Sequence, residues 1–221
     1  MRDVAFLFDF DGTLWDCEPL VFQAYDEYFR GFGRRLPQDR WCALMGGLDP
    51  DPWGYLEEVT GAPVDRSAAR AAVDVRKREL LAGAGLRQGV RTFLADVDAR
   101  GIRRGIVSNS TRAWIAEYTR QGEIEAGWEV VECADGDAAR AKPSPALYQA
   151  AVARMGVDVD RVVAFEDSTR GVRAAKSAGI RCVAVAGPLT AGVEFEDADL
   201  RIDCFTRIGV AAALDLAGCR A

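Results

Sequence analysis

The sequence predicts an α/β fold: a parallel sheet with helices on both faces and one helical segment inserted after the first strand. Two patterns carry this prediction. From Gln88 onward, short apolar runs of β-favouring residues alternate with stretches of helical period. Strands alternating with helices at that pitch imply crossover connections, and so a parallel sheet covered on both faces. Between Glu18 and about Ala84 the strand-like runs vanish and helical spacing takes over. A third observation bears on function. Polar clusters stand where apolar runs end, at Asp9-Phe10-Asp11-Gly12, Ser108-Asn109-Ser110 and Glu166-Asp167-Ser168. Open α/β sheets bind ligands at the C-terminal ends of their strands.

Val4 to Phe8 is apolar throughout, as a strand buried on both faces requires. Gly12 ends it. Leu20, Ala24, Tyr28 and Phe32 then recur at helical spacing, with Gln23, Asp26, Glu27 and Arg30 between them. Further helices are expected at Gln38–Met45, Pro52–Val59 and Arg66–Ala82. Val90–Ala99 reads as a helix carrying Val90, Phe93, Leu94 and Val97, with Gly101 in the usual terminating position. Arg103–Val107 reads as a strand, Thr111–Gln121 as a helix and Trp128–Cys133 as a strand. Pro145–Met155 follows as a helix with Pro145 in its first turn. Next come a strand at Arg161–Phe165, a helix at Ser168–Ala178 stopped by Gly179, and a strand at Arg181–Ala186. Leu200–Ile202 is a short edge strand and Thr206–Leu216 a closing helix. No internal repeat or low-complexity segment breaks the pattern.

Composition narrows the function. The chain of 221 residues is 49% apolar and 28% charged, ordinary for a globular protein. A net charge of -6 argues against nucleic-acid binding, which needs a basic footprint. No apolar run approaches the ~20 residues that span a bilayer, and no signal-peptide pattern precedes the first strand. A cytoplasmic protein without a membrane partner is expected. The six cysteines, Cys17, Cys42, Cys133, Cys182, Cys204 and Cys219, are scattered, and there is no histidine. A zinc site is therefore not expected, and catalysis has to proceed without imidazole. Cys17, just beyond the acidic cluster, reads first as a small buried residue.

The clusters suggest chemistry, each beside a plainer reading. Asp9 and Asp11 at a strand end repel each other unless a cation or shared proton intervenes. A hard cation such as Mg²⁺ is held by carboxylates together with substrate phosphate and water. A carboxylate beside such an ion can attack phosphorus, while a second acts as acid and then base. Asp-Gly is also a common turn dipeptide. Ser108, Asn109 and Ser110 suit a phosphate oxygen before a helix N-terminus, or serve only as helix caps. Lys142, in Lys142-Pro143-Ser144-Pro145, is either a point charge for phosphate or a solvated surface charge. Glu166 and Asp167 are either metal ligands or acids that favour a helix N-terminus.

Asp9-Phe10-Asp11-Gly12-Thr13-Leu14 after an apolar strand closely resembles the first motif of the haloacid dehalogenase (HAD) superfamily. Ser108 resembles the second motif, Lys142 with Pro143, Pro145 and Tyr148 the third, and Glu166-Asp167 the fourth, in order along nearly the whole chain. The resemblance implies a Rossmann-like core, residues 1–16 and 85–221, and a helical cap, residues 17–84. It implies that Asp9 is the nucleophile and Asp11 the acid and base. Ser108, Asn109 and Lys142 would bind the phosphoryl group. Asp9, the backbone carbonyl of Asp11, Glu166 and Asp167 would hold Mg²⁺.

Asp11 argues for phosphoryl chemistry rather than dehalogenation. The stretch Asp16-Cys17-Glu18-Pro19-Leu20 resembles the cap entry of the branch holding beta-phosphoglucomutase and phosphoglycolate phosphatase. Val21 stands where that mutase has a histidine, and the loop Met45-Gly46-Gly47-Leu48-Asp49 lacks its arginine. Phosphonatases of the family use a cap lysine; Lys77, the cap's one lysine, sits between Arg76 and Arg78 as on an ordinary basic helix face. The expected activity is a Mg²⁺-dependent phosphatase acting on a small phosphorylated metabolite through an aspartyl-phosphate. The alternatives are a sugar phosphomutase and a non-catalytic metabolite-binding protein. Candidate substrate contacts in the cap are Met45, Gly46, Gly47 and Trp53, with Arg76 or Lys77; for the glycines a helix-ending turn, and for Trp53 a place in the cap core, are the plainer readings. Glu18 is placed near a cap hinge. A monomer or homodimer is expected.

Overall fold

The computed structural model describes residues 3–48 and 50–218. Asp49 of the Gly46–Gly47 loop and Cys219 lie outside the described residues. In chain order the elements are β1 (Ala5–Phe8), α1 (Glu18–Arg30), α2 (Gln38–Leu44), α3 (Trp53–Thr60), α4 (Arg66–Leu81) and α5 (Val90–Ala99). Then follow β2 (Arg103–Ser108), α6 (Arg112–Gln121), β3 (Val130–Cys133), α7 (Ala146–Met155), β4 (Val162–Glu166) and α8 (Thr169–Ser177). β5 (Arg181–Val185), β6 (Leu200–Ile202) and α9 (Val210–Leu216) complete the chain. The six strands form one parallel sheet in the order β3-β2-β1-β4-β5-β6.

Strand alternation divides the core between the two faces of the sheet. Phe6 and Phe8 of β1 and Val163 and Phe165 of β4 enter one cluster with Phe93 and Leu94 of α5 and Leu214 of α9. Their neighbours Ala5, Leu7, Val162 and Ala164 enter a second cluster with Leu147 and Tyr148 of α7 and Val172 of α8. Successive strand residues point to opposite faces, so one strand supplies rings to one face and aliphatic side chains to the other. Phe8 and Phe165 stack with centroids 4.8 Å apart, and Phe93 meets Phe165 edge-on at 5.4 Å. β1 sits at the sheet centre because it is apolar on both faces, and this fixes where Asp9 emerges.

Two elements depart from expectation. The closing segment is not one helix from Thr206. Phe205–Arg207 forms a single 3-10 turn, Ile208 and Gly209 are extended, and α9 starts at Val210. Phe205 N–H bonds the Gln88 carbonyl at 3.1 Å, and both Phe205 and Ile208 are buried. Burying both residues and then Ala213 and Leu214 demands a re-aimed backbone that a continuous helix cannot supply. β3 starts at Val130, two residues later than expected, because Trp128 donates to the Ile124 carbonyl and stacks on the Arg104 guanidinium at 4.2 Å.

Helices α1 to α4 bury their own apolar cluster, including Tyr25, Phe29, Trp41, Trp53, Leu56 and Val73. The two segments that join this helical insertion to the sheet run side by side. Trp15 and Leu86 form an antiparallel bridge, Asp16 N–H bonds the Gly85 carbonyl at 2.8 Å, and Arg87 N–H bonds the Leu14 carbonyl at 2.9 Å. Among the described residues, no helix is long and apolar enough to cross a membrane.

Phe165 is fully buried in the ring cluster. Phe165→Ala is expected to cost about 3–5 kcal/mol of unfolding free energy. Urea unfolding checks this; a loss below about 1 kcal/mol would show that the rings do not carry this face.

Candidate active site

Asp9, Ser108 and Glu166-Asp167 arrive together because β1, β2 and β4 are adjacent and parallel and end at one level. Phe8 pairs with Ile106 and Phe165. Asp9 N–H bonds the Phe165 carbonyl at 2.9 Å, extending the ladder one residue beyond β1. Ser108 closes β2 and Glu166 closes β4.

Lys142 reaches this floor from the loop before α7. Its Nζ donates to Asp9 Oδ1 at 2.5 Å and to the Val107 carbonyl at 2.7 Å, and lies 2.6 Å from Glu166 Oε1. Burial alone would push the ammonium down, but Asp9 and Glu166 outweigh it and hold Lys142 above the ordinary lysine range. Tyr148 donates to the same Glu166 oxygen at 2.7 Å. Lys142 is thus a buried charge, not a solvated one.

Asp9, Glu166 and Asp167 offer carboxylate oxygens within 4.8 Å of one another. Burial raises the Asp9 and Asp167 carboxyls well above their usual range. Lys142 opposes this at Asp9, with Glu166 and Asp11 adding to the rise; at Asp167 the rise is reinforced by Asp9, Glu18 and Glu166. With all three ionised, the carboxylates and the one ammonium would carry two net negative charges, and a divalent cation would relieve the repulsion that raises Asp9 and Asp167. Among the described residues Lys142 pairs with two of the three, and Asp167 has no ion pair. The buried Glu166 Oε2 has no hydrogen-bond partner. These residues fit Mg²⁺.

Glycine clears the space. At Gly12, with φ +79°, a Cβ would lie 1.9 Å from Asp167 Oδ2. At Gly171 in α8 a Cβ would lie 1.9 Å from Glu166 Oε2. Caps separate structural residues from site residues. Thr111 caps α6 by accepting from Trp114 N–H at 3.2 Å, and Ser168 caps α8 by accepting from Gly171 N–H at 3.1 Å. Ser108, Asn109 and Ser110 are therefore not the cap of α6.

Above the floor lies a cavity of about 600 Å³, walled by the insertion and by β-strand ends. This is within the usual range for small-molecule sites. Gly46, Gly47, Met45 and Lys77 line it, as do Glu18, Tyr25, Trp41, Arg70 and Asp74. Asn109 ties the two sides: its Nδ2 donates to the Gly46 carbonyl at 2.7 Å and its Oδ1 accepts from Lys142 N–H at 2.9 Å. Gly46 has φ +72°, and a Cβ there would lie 2.4 Å from Ser168 Oγ.

Two expected cap contacts are corrected. Trp53 does not reach the cavity; it is fully buried against Tyr25 and Tyr28, because α3 turns its first apolar residue into the insertion's own core. Arg76 is held by Glu27 of α1 at 2.6 Å and by Glu79 at 2.9 Å and does not line the cavity. Lys77 does reach the cavity and pairs with Asp74 at 2.9 Å. The Asp11 carboxylate stands apart from the three-carboxylate cluster: Oδ2 accepts from Ser110 Oγ at 2.5 Å and Oδ1 from Trp114 Nε1 at 2.7 Å. Cys17 Sγ lies 3.5 Å from the same Oδ1.

Sequence reasoning missed Arg87, Trp114 and Gly171. Arg87 is buried and donates to the carbonyls of Gly12, Val185, Ala186 and Asp203 at 2.7–2.9 Å, pinning the turn after Asp11 to the ends of β5 and β6. Nothing around Arg87 in sequence marks it. Trp114 was within reach, since the first turn of a helix that starts beside the site faces the site.

The sequence matches the haloacid dehalogenase-like hydrolase family over residues 6–185. The Bacillus subtilis (strain 168) protein YhcW, whose name describes a phosphatase, is 32% identical over 212 residues, 96% of each chain. The phosphorylated carbohydrates phosphatase of Thermotoga maritima is 30% identical over 178 residues, 80% of this chain and 82% of its own. A mutant of CbbY from Rhodobacter sphaeroides, crystallised in complex with xylulose-(1,5)bisphosphate, is similar in structure. Its TM-score is 0.70 at 29% identity, covering 93% of this chain and 96% of that one. The chain belongs to the haloacid dehalogenase-like hydrolase family. The phosphoric monoester hydrolase class expected from its motifs is the class that its relatives' names carry.

Glu18 is pushed up to about 7, first by desolvation and then by Asp11, against the pull of Lys77. The unfolded chain releases this proton near 4.5, the folded chain only near 7. Glu18 therefore contributes stability that is fully present below about 4.5 and lost as pH rises to about 7. In chelator, the melting temperature of Glu18→Gln is expected to fall less steeply than that of the wild type across this window. Parallel curves would refute the shift.

Proposed function

We propose that the protein is a Mg²⁺-dependent phosphatase acting on a sugar phosphate or similarly small phosphorylated metabolite through an aspartyl-phosphate on Asp9. The observation that carries this reading is the Lys142 ammonium set between Asp9 and Glu166, beside Asp167, on the floor of the cavity. In this reading residues 1–16 and 85–221 form the catalytic core and 17–84 the cap. The separate apolar cluster of the insertion and its paired connecting segments support that division.

Asp9 attacks phosphorus while Lys142 and the Ser108 hydroxyl hold the equatorial oxygens, aided by Asn109 N–H. Asp11 protonates the departing ester oxygen and later takes a proton from the water that cleaves the acyl phosphate. Mg²⁺ would be held by Asp9, Glu166, Asp167 and the Asp11 backbone carbonyl, and when bound neutralises charge on the phosphoryl group. The Lys142 ammonium opposes the burial-driven rise of the Asp9 carboxyl at the attacking oxygen. Gly46, Gly47 and Lys77 contact the rest of the substrate. Glu18, Asp74, Lys77 and Arg70 beside Tyr25 and Trp41 offer charged hydrogen-bond partners and ring faces, which suits a polyhydroxyl chain. The names of the Thermotoga relative and of the bound CbbY ligand point to the same substrate class.

Phosphate release from a panel of sugar phosphates, phosphoglycolate, nucleotides and an aryl phosphate is expected with Mg²⁺ and not with chelator. Isomerised product with little free phosphate would instead mark a mutase, and binding without turnover a metabolite-binding protein. Asp9→Asn is expected to lower kcat by about three orders of magnitude or more with the fold retained; substantial activity in that variant would remove Asp9 as nucleophile. Mg²⁺ is expected to raise the melting temperature of the wild type. The same rise in Asp167→Asn and Gly171→Ala would place the metal elsewhere.

A further inference from the structure

We propose that Trp114 is a positioning residue for Asp11 and, through it, governs departure of the leaving group. The inference rests on the reading of Asp11 as the general acid. Both oxygens of the Asp11 carboxylate are held by neutral donors, Oδ1 by the Trp114 indole N–H at 2.7 Å, with the weaker Cys17 thiol at 3.5 Å, and Oδ2 by the Ser110 hydroxyl at 2.5 Å. The terminal torsion of an aspartate is broad and two-fold. A single donor leaves the carboxyl plane free to swing, whereas donors on opposite oxygens fix it.

The indole is itself fixed. Trp114 lies in the first turn of α6, and its backbone N–H is bound by the cap Thr111 at 3.2 Å. Its ring packs on Tyr118 with centroids 4.4 Å apart. Tyr118 packs on Trp15 at 5.2 Å, and Trp15 stacks on Phe10 at 6.5 Å. Phe10 is the residue between the two aspartates, so this line of rings returns to the motif it serves. An indole has one N–H in the ring plane, so its donor direction follows from the ring's packing.

The step affected is the first. As the bond from phosphorus to the ester oxygen breaks, its electron pair stays on that oxygen, which takes the Asp11 proton and leaves as neutral alcohol. Asp9 holds the phosphoryl group and Asp11 is left as carboxylate. A misplaced carboxyl slows this step for poor leaving groups and spares good ones.

The test measures kcat/KM of the Mg²⁺-loaded enzyme on phenyl phosphate and p-nitrophenyl phosphate. These esters are similar in shape but differ in how much the departing oxygen needs a proton. Trp114 also borders the cavity, and the matched shapes keep a lost substrate contact from imitating the effect. In Trp114→Phe, which retains the ring on Tyr118, the preference for p-nitrophenyl over phenyl phosphate is expected to rise about tenfold, on the scale of a group displaced by a fraction of an ångström. Asp11→Asn is expected to raise it further, and Ser110→Ala to raise it in the same direction. An equal fall on both esters, or no change, in Trp114→Phe and Ser110→Ala overturns the proposal. An unchanged preference in Asp11→Asn overturns the acid assignment instead. Release of phosphate from no member of the wider panel, these two esters included, removes the phosphatase reading and this proposal with it.

Discussion

Lys142 Nζ, 2.5 Å from Asp9 and 2.6 Å from Glu166, is the charge around which the C-terminal edge of the sheet is built. A lone ammonium in that position would be driven toward its neutral form by burial, and the carboxylates likewise. Each is tolerated because the other is there. The arrangement needs three chain segments to converge, the ends of β1 and β4 and the loop before α7. It also depends on the Val107 carbonyl, which accepts from Lys142 Nζ, and on Tyr148, which donates to Glu166 Oε1. Three carboxylates about one ammonium form a donor set that fits a divalent cation.

The sheet makes that convergence possible. β1 is central, and its rings face α5 and α9 while Ala5 and Leu7 face α7 and α8. A register slip of one residue would exchange these faces and turn Asp9 away from Lys142. Arg87 adds a second brace. Its guanidinium draws the Gly12 carbonyl toward the ends of β5 and β6, next to the segment that joins the insertion to the sheet. The insertion has its own apolar core and meets the site through Asn109 and the Gly46 loop. Its position over the site and the Lys142 loop therefore share one side chain.

Much of the molecule was legible from residues alone. The alternation of apolar runs and helical spacing gave every strand and most helix bounds, because burial on both faces of a parallel sheet leaves long apolar runs. The four motifs named Asp9, Ser108, Lys142, Glu166 and Asp167, and the structure brings them to one floor. Illegible parts involve contacts between distant residues. Trp53 carries the same sequence signal whether it faces a cavity or a core. Arg87 lies 75 residues from the Gly12 carbonyl it holds, so no local pattern reveals it. The break at Ile208 and Gly209 follows from where Phe205 must be buried, not from helix propensity.

By itself the sequence determined the strand and helix inventory, the polar groups at the strand ends, and the family whose motifs they match. Local period, apolar content and residue type are sufficient for these. Only the tertiary structure decided that Lys142 is buried and paired, that Glu166 is left with an unmatched oxygen, and that Asp11 points to Ser110 and Trp114. It also decided which residues of the helical insertion reach the cavity. These depend on which side chains are brought within hydrogen-bond distance, and on how much water is removed around them, which spacing along a chain does not specify.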